Sequence, residues 1–101
     1  MFDMKNLSRL KKLDASAPDG MKAFWAFDKA AFAEGALTVQ QKQLMAVAVA
    51  LTTQCPYCIA IHTKAAREAG ANDAQLTEAA LVSAAIRAGG SVTHATHMFE
   101  G

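Results

Sequence analysis

The segment QLMAVAVALTTQCPYCIAIHTKAAREAG, residues 43–70, contains two apolar stretches separated by a proline. The first includes Leu44–Leu51, which is apolar on all sides. A buried strand fits this run alone, but the flanking glutamines and the alanines favour a helix packed on several sides. Pro56 suits the first position of a helix, because the N–H that proline lacks has no partner there. Gly70 is a good residue to end it. The segment therefore predicts two consecutive helices, the second from Pro56 to Ala69.

The other segments also read as helices, because alanine and leucine are frequent and β-branched residues are scattered. MKNLSRLKKLD, residues 4–14, predicts a short amphipathic helix. APDGMKAFWAFDKAAFAEG, residues 17–35, predicts a Pro-Asp-Gly turn and then a helix whose apolar side chains lie in the core or at a subunit contact. Those side chains are Met21, Phe24, Trp25, Phe27, Ala31 and Phe32.

Helix caps complete the predicted architecture. Thr38 is predicted to cap the helix before the cysteines, and Asn72 or Asp73 the helix that follows them. That later helix is predicted to end at Gly89–Gly90, with Ser91 capping a last short helix. No linker or low-complexity segment is visible. The predicted fold is therefore all-α, a compact bundle of about five to six helices with short connections.

The composition narrows the class of protein. A chain of 101 residues suggests a single domain spanning residues 1–101. Its hydrophobic fraction of 52% is a large amount of apolar material for so small a body, which predicts a homo-oligomer. A net charge of +1 without a basic run argues against a nucleic-acid partner. The longest apolar run is far shorter than the about 20 residues that span a bilayer, and no leader segment is visible. A soluble, cytoplasmic protein without a membrane partner is predicted.

Both cysteines of the chain lie in the motif CPYCIAIH, residues 55–62. On a helical wheel of about 100° per residue, Cys58 and His62 share one stripe with two alanines, and Cys55 lies just before the first turn. The free N–H groups and partial positive charge of a helix start stabilise thiolates. His62 can take the proton of the Cys58 thiol, and two cysteines at this spacing can close a reversible disulfide. The motif therefore indicates dithiol redox chemistry.

Two other interpretations of the cysteines stay open. Cys55, Cys58 and His62 offer three ligands for zinc, and His94 or His97 can supply a fourth. Alternatively, both cysteines are inert core residues of a structural or partner-binding subunit. His94 and His97 are predicted to share a helical face and to have structural or solvent-exposed roles. No cofactor is predicted, since no nucleotide-binding loop is visible.

The motif at residues 55–62 resembles the C-x-x-C-x-x-x-H signature of the alkylhydroperoxidase D-like branch of the carboxymuconolactone decarboxylase family, and the likeness covers roughly residues 35–95. It implies an all-helical subunit that assembles as a homotrimer or homohexamer. It also implies reduction of a hydroperoxide substrate with electrons from a separate thiol reductant. By resemblance, Cys58 attacks the peroxide, Cys55 resolves the sulfenic acid as a disulfide, and His62 relays protons. Family members that decarboxylate lactones generally lack the paired cysteines, so that reaction is the weaker alternative.

Two positions depart from the family pattern in ways that bear on proton transfer. The pattern has a glutamate twelve residues before the first cysteine, and this chain has Gln43 there. An amide can hold a water but does not take up a proton at neutral pH. Tyr57 also occupies a position where the pattern allows a histidine. The resemblance therefore places Gln43 in the site and predicts an intact dithiol with a weaker proton relay.

Overall fold

Five α-helices and two short 3-10 helices account for most of residues 2–99, the part of the chain that this computed structural model describes. No strand occurs among these residues, so the predicted all-α class with about five to six helices is confirmed. The elements in order are a 3-10 helix Met4–Arg9, α1 Leu10–Ser16, α2 Pro18–Phe32, α3 Val39–Thr53, α4 Pro56–Glu68, α5 Asp73–His94 and a 3-10 helix Ala95–Phe99.

The chain divides into two compact units, Met1–Val39 and Gln40–Gly101. A single domain over residues 1–101 therefore stays a prediction. Within residues 2–99, no helix combines the length and the apolar character that crossing a bilayer requires.

In the first unit, the predicted Pro-Asp-Gly turn is instead the first turn of α2. Pro18 occupies the start of the helix and Asp19 lies in its first turn. Proline is favoured there because its fixed φ matches the helix and its missing N–H needs no partner. An aspartate at the same place favours the helix electrostatically. The three residues that suggest a turn are therefore also a good helix start.

The aromatic side chains of α2 are not buried within this chain. Phe24 is 49% exposed and Phe27 is 70% exposed, so the expectation that they form a core is wrong for the single subunit. Trp25 is better held, because its Nε1–H donates to Asp14 Oδ1 at 2.7 Å and its ring meets Phe24 edge to face. A subunit contact for these rings stays a prediction.

The second unit has a small core made of short side chains. Val47 of α3, Ala66 of α4 and Ala71 after α4 are buried together, and three leucines pack against them: Leu44, Leu51 and Leu76. Ala66 has no exposed surface at all.

The end of α4 is fixed by Gly70, close to the predicted Ala69 terminus. Gly70 has a φ of +95°, which residues with a Cβ rarely adopt. The Gly70 N–H donates to the Arg67 carbonyl and the Ala71 N–H to the Ala66 carbonyl, both at 2.9 Å. These two bonds form a Schellman motif that satisfies the last carbonyls of the helix.

The predicted N-cap of α5 is confirmed, but its predicted C-terminal end is wrong. Asn72 accepts from the Gln75 N–H at 2.9 Å, and the Gln75 side chain accepts from the Asn72 N–H at 2.8 Å, so the predicted cap is a full capping box. The end at Gly89–Gly90 is wrong, because α5 continues to His94. Ser91 therefore lies inside the helix and caps nothing. Neither glycine has a positive φ, and a helix of 22 residues absorbs their propensity penalty of about 1 kcal/mol each.

Gly90→Ala is expected to raise the free energy of unfolding by about 0.5–1 kcal/mol, because alanine loses less backbone entropy inside a helix. A Cβ at Gly90 meets nothing within 4 Å. The matched change Gly70→Ala should lower stability, since φ is positive there and the Cβ would lie 3.3 Å from Gln40 Nε2. Urea unfolding measures both. A destabilising Gly90→Ala would contradict a continuous α5.

Candidate active site

The two sulfur atoms meet at the N-terminus of α4. Cys55 is extended because the residue before a proline avoids the helical region, so Cys55 becomes the N-cap while Pro56 starts the helix. The Cys58 N–H donates to Cys55 Sγ over 3.4 Å. The two Sγ atoms lie 2.7 Å apart, within hydrogen-bonding distance, and both cysteines are free thiols. The predicted meeting of the two sulfurs at a helix start is therefore present in the structure.

Hydrogen bonding separates the acidities of these two sulfurs. The contact with the Cys58 side chain, followed by the Cys58 backbone N–H, lowers the pKa of the Cys55 thiol, although burial opposes this. The same side-chain contact raises the pKa of Cys58, and burial and the negative charge of Cys55 raise it further. The contact between the two sulfurs therefore makes their acidities unequal.

His62 is held by a residue of the preceding helix. Its Nδ1 lies 2.8 Å from Oε1 of Gln43 on α3. An amide oxygen only accepts hydrogen bonds, so Nδ1 carries the proton in this contact. A neutral imidazole then has its lone pair on Nε2, which makes Nε2 the ring atom that can accept a proton. The structure thus joins His62 directly to Gln43, a residue that the resemblance places in the site.

The turn that leads into the site contains a residue that the sequence analysis does not identify. Gln54 has a φ of +57°, the left-handed region in which glycine and asparagine are usual. The Cys55 N–H returns to the Ala50 carbonyl at 3.1 Å, so α3 ends directly before the motif. Gln54 therefore sets where Cys55 lies relative to α3. Its residue type gives no signal for this role, because glutamine is not typical of left-handed turns.

The predicted stripe of α4 is present, but it is only half-buried. Cys55, Cys58 and His62 have intermediate exposure, so they are neither in the core nor fully in solvent. Lys64 and Arg67 have side chains that are 80% and 53% exposed, as expected for the opposite face. The two cysteines and the histidine therefore keep part of their surface exposed in the single chain.

The metal interpretation finds no geometric support in residues 2–99. No group of three or more histidine, cysteine, aspartate or glutamate side chains there is arranged to hold an ion. His94 and His97 face one another, with ring centroids 5.5 Å apart, and both side chains are exposed. This agrees with the predicted shared face and solvent-exposed roles of these two histidines.

The sequence of this chain matches a known protein family and is similar to proteins from other organisms. Residues 18–101 match the model of the carboxymuconolactone decarboxylase family. A Paracoccus denitrificans protein, named uncharacterized protein 4 in cox locus, is 48% identical over 89 residues, which are 88% of this chain and 78% of that protein. An uncharacterized protein of Cupriavidus necator is 38% identical over 66 residues, which are 65% of this chain and 58% of that protein.

Two solved structures have the same fold. A crystal structure of a protein from Methanobacterium thermoautotrophicum matches with a TM-score of 0.80 and 36% identity, covering 85% of this chain and 97% of that chain. The apo structure of a carboxymuconolactone decarboxylase family protein from Legionella pneumophila matches with a TM-score of 0.78 and 29% identity, covering 91% and 82%. The family model and these two structures agree with each other, and this chain belongs to the carboxymuconolactone decarboxylase family.

Proposed function

We propose that the chain is a dithiol oxidoreductase of the alkylhydroperoxidase D-like branch, which reduces hydroperoxides through a reversible Cys55–Cys58 disulfide. The observation that carries this proposal is the pair of free sulfurs 2.7 Å apart at the start of α4. Closure of a ring between residues i and i+3 then needs little movement of the backbone. A half-buried position lets a small peroxide reach the pair.

The histidine and the glutamine supply proton handling in this proposal. His62 lies one helical turn after Cys58, so it is the nearest base of the motif along α4. Gln43 orients the imidazole through its contact with Nδ1. Because an amide does not ionise, the proton passes between sulfur, imidazole and solvent, and not through residue 43. The paired cysteines favour this redox function over a decarboxylation of the kind that the family name describes.

The partners of the reaction follow from its chemistry. Each turnover leaves a disulfide, so a separate thiol protein or small thiol must return two electrons to the pair. We propose that this takes place in the cytoplasm, where thiol reductants are abundant. The role belongs to antioxidant defence against hydroperoxides.

Titration of the reduced protein with tert-butyl hydroperoxide tests the function. Intact mass should fall by two hydrogens per chain as one equivalent of peroxide is consumed, and peptide mapping should place the new bond between Cys55 and Cys58. The Cys55→Ser/Cys58→Ser double variant is the control and should consume none. An unchanged mass of the parent at several equivalents of peroxide would rule the function out.

We also propose that the protein forms a homotrimer or homohexamer in which a second copy covers the apolar face of α5. Leu81, Val82, Ile86 and Val92 lie on one half of this helix and are 62%, 61%, 68% and 73% exposed. Burying each such side chain is favourable by on the order of 1–2 kcal/mol. The aliphatic, uncharged character of these side chains fits another copy of the same face better than a polar partner.

Ile86→Glu should shift this assembly toward smaller species, because a carboxylate buried without a partner is unfavourable. Sedimentation equilibrium at a fixed protein concentration measures the change. Ala84→Glu adds the same charge outside the apolar face and should leave the mass of the assembly unaltered. A parent protein that sediments as a monomer at micromolar concentration would contradict the oligomer.

A further inference from the structure

We propose that Gln40 is a positioning residue for His62. It holds α3 against α4 so that Gln43, one turn further along α3, reaches the imidazole. Gln40 acts through the contact between Gln43 Oε1 and His62 Nδ1, which is 2.8 Å long. Its effect on catalysis rests on the proposed function, whereas its effect on the imidazole does not.

Two side-chain amides, those of Gln75 and Gln40, form a relay of hydrogen bonds between the start of α5 and the end of α4. The Asn72 N–H donates to Gln75 Oε1 at 2.8 Å. Gln75 Nε2 donates to Gln40 Oε1, and Gln40 Nε2 donates to the Ala69 carbonyl, both at 3.1 Å. Because a backbone N–H only donates and a carbonyl only accepts, the two ends of the relay fix which way both amides point. Both glutamines are half-buried, where such linked bonds strengthen one another.

Gly70 leaves room for the amide relay. A Cβ at Gly70 would lie 3.3 Å from Gln40 Nε2, so the amide would have to shift to accept it. The same glycine has the positive φ that ends α4. The end of α4 therefore has both the backbone conformation and the space that an amide from α3 requires.

Gln40 and Gln43 contact α4 from the same side of α3. They lie three positions apart, which places both side chains on one face of the helix. Their partners, the His62 ring and the Ala69 carbonyl, belong to α4 and its C-cap and lie about two turns apart. A rotation or slide of α3 against α4 would therefore change both contacts together.

The apolar contacts of this part of the chain do little to fix such a register. The buried cluster consists of short side chains, namely Val47, Ala66 and Ala71. Apolar burial is non-directional, whereas a hydrogen bond requires a defined distance and angle. The directional contacts made by the glutamines are therefore the ones that select one position of α3 on α4.

Of the two contacts, the one made by Gln40 stays the same during turnover. Its partners are a backbone carbonyl and another amide, and neither titrates near neutral pH. Gln43 instead contacts an imidazole that takes up and releases a proton in the proposed reaction. With Gln43 held in place, the proton stays on Nδ1 in the neutral ring, and Nε2 stays the accepting atom.

The protonated ring nitrogen of His62 is the readout, because a loss of stability alone would not change it in the folded protein. Long-range 1H–15N correlation spectra at about pH 8.5, where an ordinary imidazole is neutral, distinguish the two tautomers. The Nδ1–H form should dominate in the parent. Gln40→Met should shift the ratio at least about threefold toward Nε2–H, a part of the about fivefold that one hydrogen bond contributes.

Gln41→Met is the matched control, because Gln41 is the exposed neighbour on the same helix. It should keep the parental ratio. An unchanged ratio in Gln40→Met, or a parent in which the Nε2–H form dominates, would overturn the inference.

Gln75→Glu tests the relay from its other side without removing the helix cap. A glutamate at this position of a capping box still accepts from the Asn72 N–H, but its carboxylate cannot donate to Gln40 Oε1. Gln40 should then turn its Nε2 toward the carboxylate and away from Ala69, and the tautomer ratio should shift as in Gln40→Met. Gln41→Glu adds the same charge at an exposed position and is the control. A parental ratio in Gln75→Glu would also overturn the inference.

Disulfide closure measures the consequence for the proposed reaction. After mixing with one equivalent of tert-butyl hydroperoxide, Gln40→Met should close the Cys55–Cys58 disulfide about threefold more slowly than the parent, in proportion to the tautomer shift. Closure at the parental rate despite a shifted tautomer ratio would remove Gln40 from the reaction. If the parent consumes no peroxide, the proposed function fails, and the tautomer ratios still decide whether Gln40 positions His62.

Discussion

His62→Ala should slow closure of the Cys55–Cys58 disulfide by about 100-fold, the lower range of what a positioned acid–base group contributes. The pKa of Cys58 is raised, so near neutral pH its proton must go to a base before its sulfur can attack. Without the imidazole, that proton leaves only to solvent. Rapid quenching after mixing with one equivalent of hydroperoxide, followed by intact mass, resolves the sulfenic acid from the disulfide. The disulfide should form about 100-fold more slowly in His62→Ala than in the parent.

The matched control for this experiment is His94→Ala, which removes an exposed histidine from α5. Its closure rate should equal that of the parent. Gln43→Met keeps the imidazole but removes the acceptor of its Nδ1–H. Its rate of disulfide closure should therefore lie between those of the parent and His62→Ala. Gln41→Met on the same helix is the control for that change. A His62→Ala protein that closes its disulfide at the parental rate would remove the imidazole from the mechanism.

Ala66→Leu should lower the free energy of unfolding by about 1–3 kcal/mol, because the site has no room for a larger side chain. Ala66 has no exposed surface and lies against Val47 and Ala71. A loss of 1 kcal/mol corresponds to roughly 4–8 °C in the melting temperature of a domain this small. Urea unfolding and thermal melting at one protein concentration measure the change.

Ala60→Leu is the matched control, because Ala60 lies on the same helix and is exposed. It should alter stability by less than about 0.5 kcal/mol. Ala66→Leu should also disturb the cysteine site, since α4 moves as one body and carries Cys58 and His62. A variant as stable as the parent would mean that the helices around Ala66 separate easily.

The helix boundaries show which sequence signals are strong. Pro56 and Gly70 bound α4 almost as predicted, because each residue has a conformational restriction or freedom that the boundary requires. Gly89–Gly90 carried no such requirement, since both residues also fit a helix at a modest cost. Glycine indicates a helix end reliably only where a positive φ is needed, and that need is not visible in the sequence. The exposed aromatic residues of α2 follow the same logic, because an apolar pattern does not say which chain will cover it.

The candidate site was predictable where it depends on one helix. The extended residue before Pro56 was enough to bring the two thiols together, and helical spacing places His62 one turn after Cys58 on the same helix. The contact between His62 and Gln43 joins residues of two helices, 19 positions apart, and only the family resemblance pointed to it. The unequal acidity of the sulfurs depends on distances between side chains, which no spacing rule supplies.

His62 lies on α4 but is held by Gln43 of α3, so the motif alone does not reproduce the site in another protein. A synthetic peptide with the sequence CPYCIAIH contains both thiols and the imidazole, but it lacks the Gln43 amide that fixes the ring tautomer. It also lacks Gln54, whose left-handed backbone sets where α4 begins relative to the end of α3. A designed catalyst that uses the same site must therefore include α3, the turn and α4, because this is the smallest segment that contains both contacts.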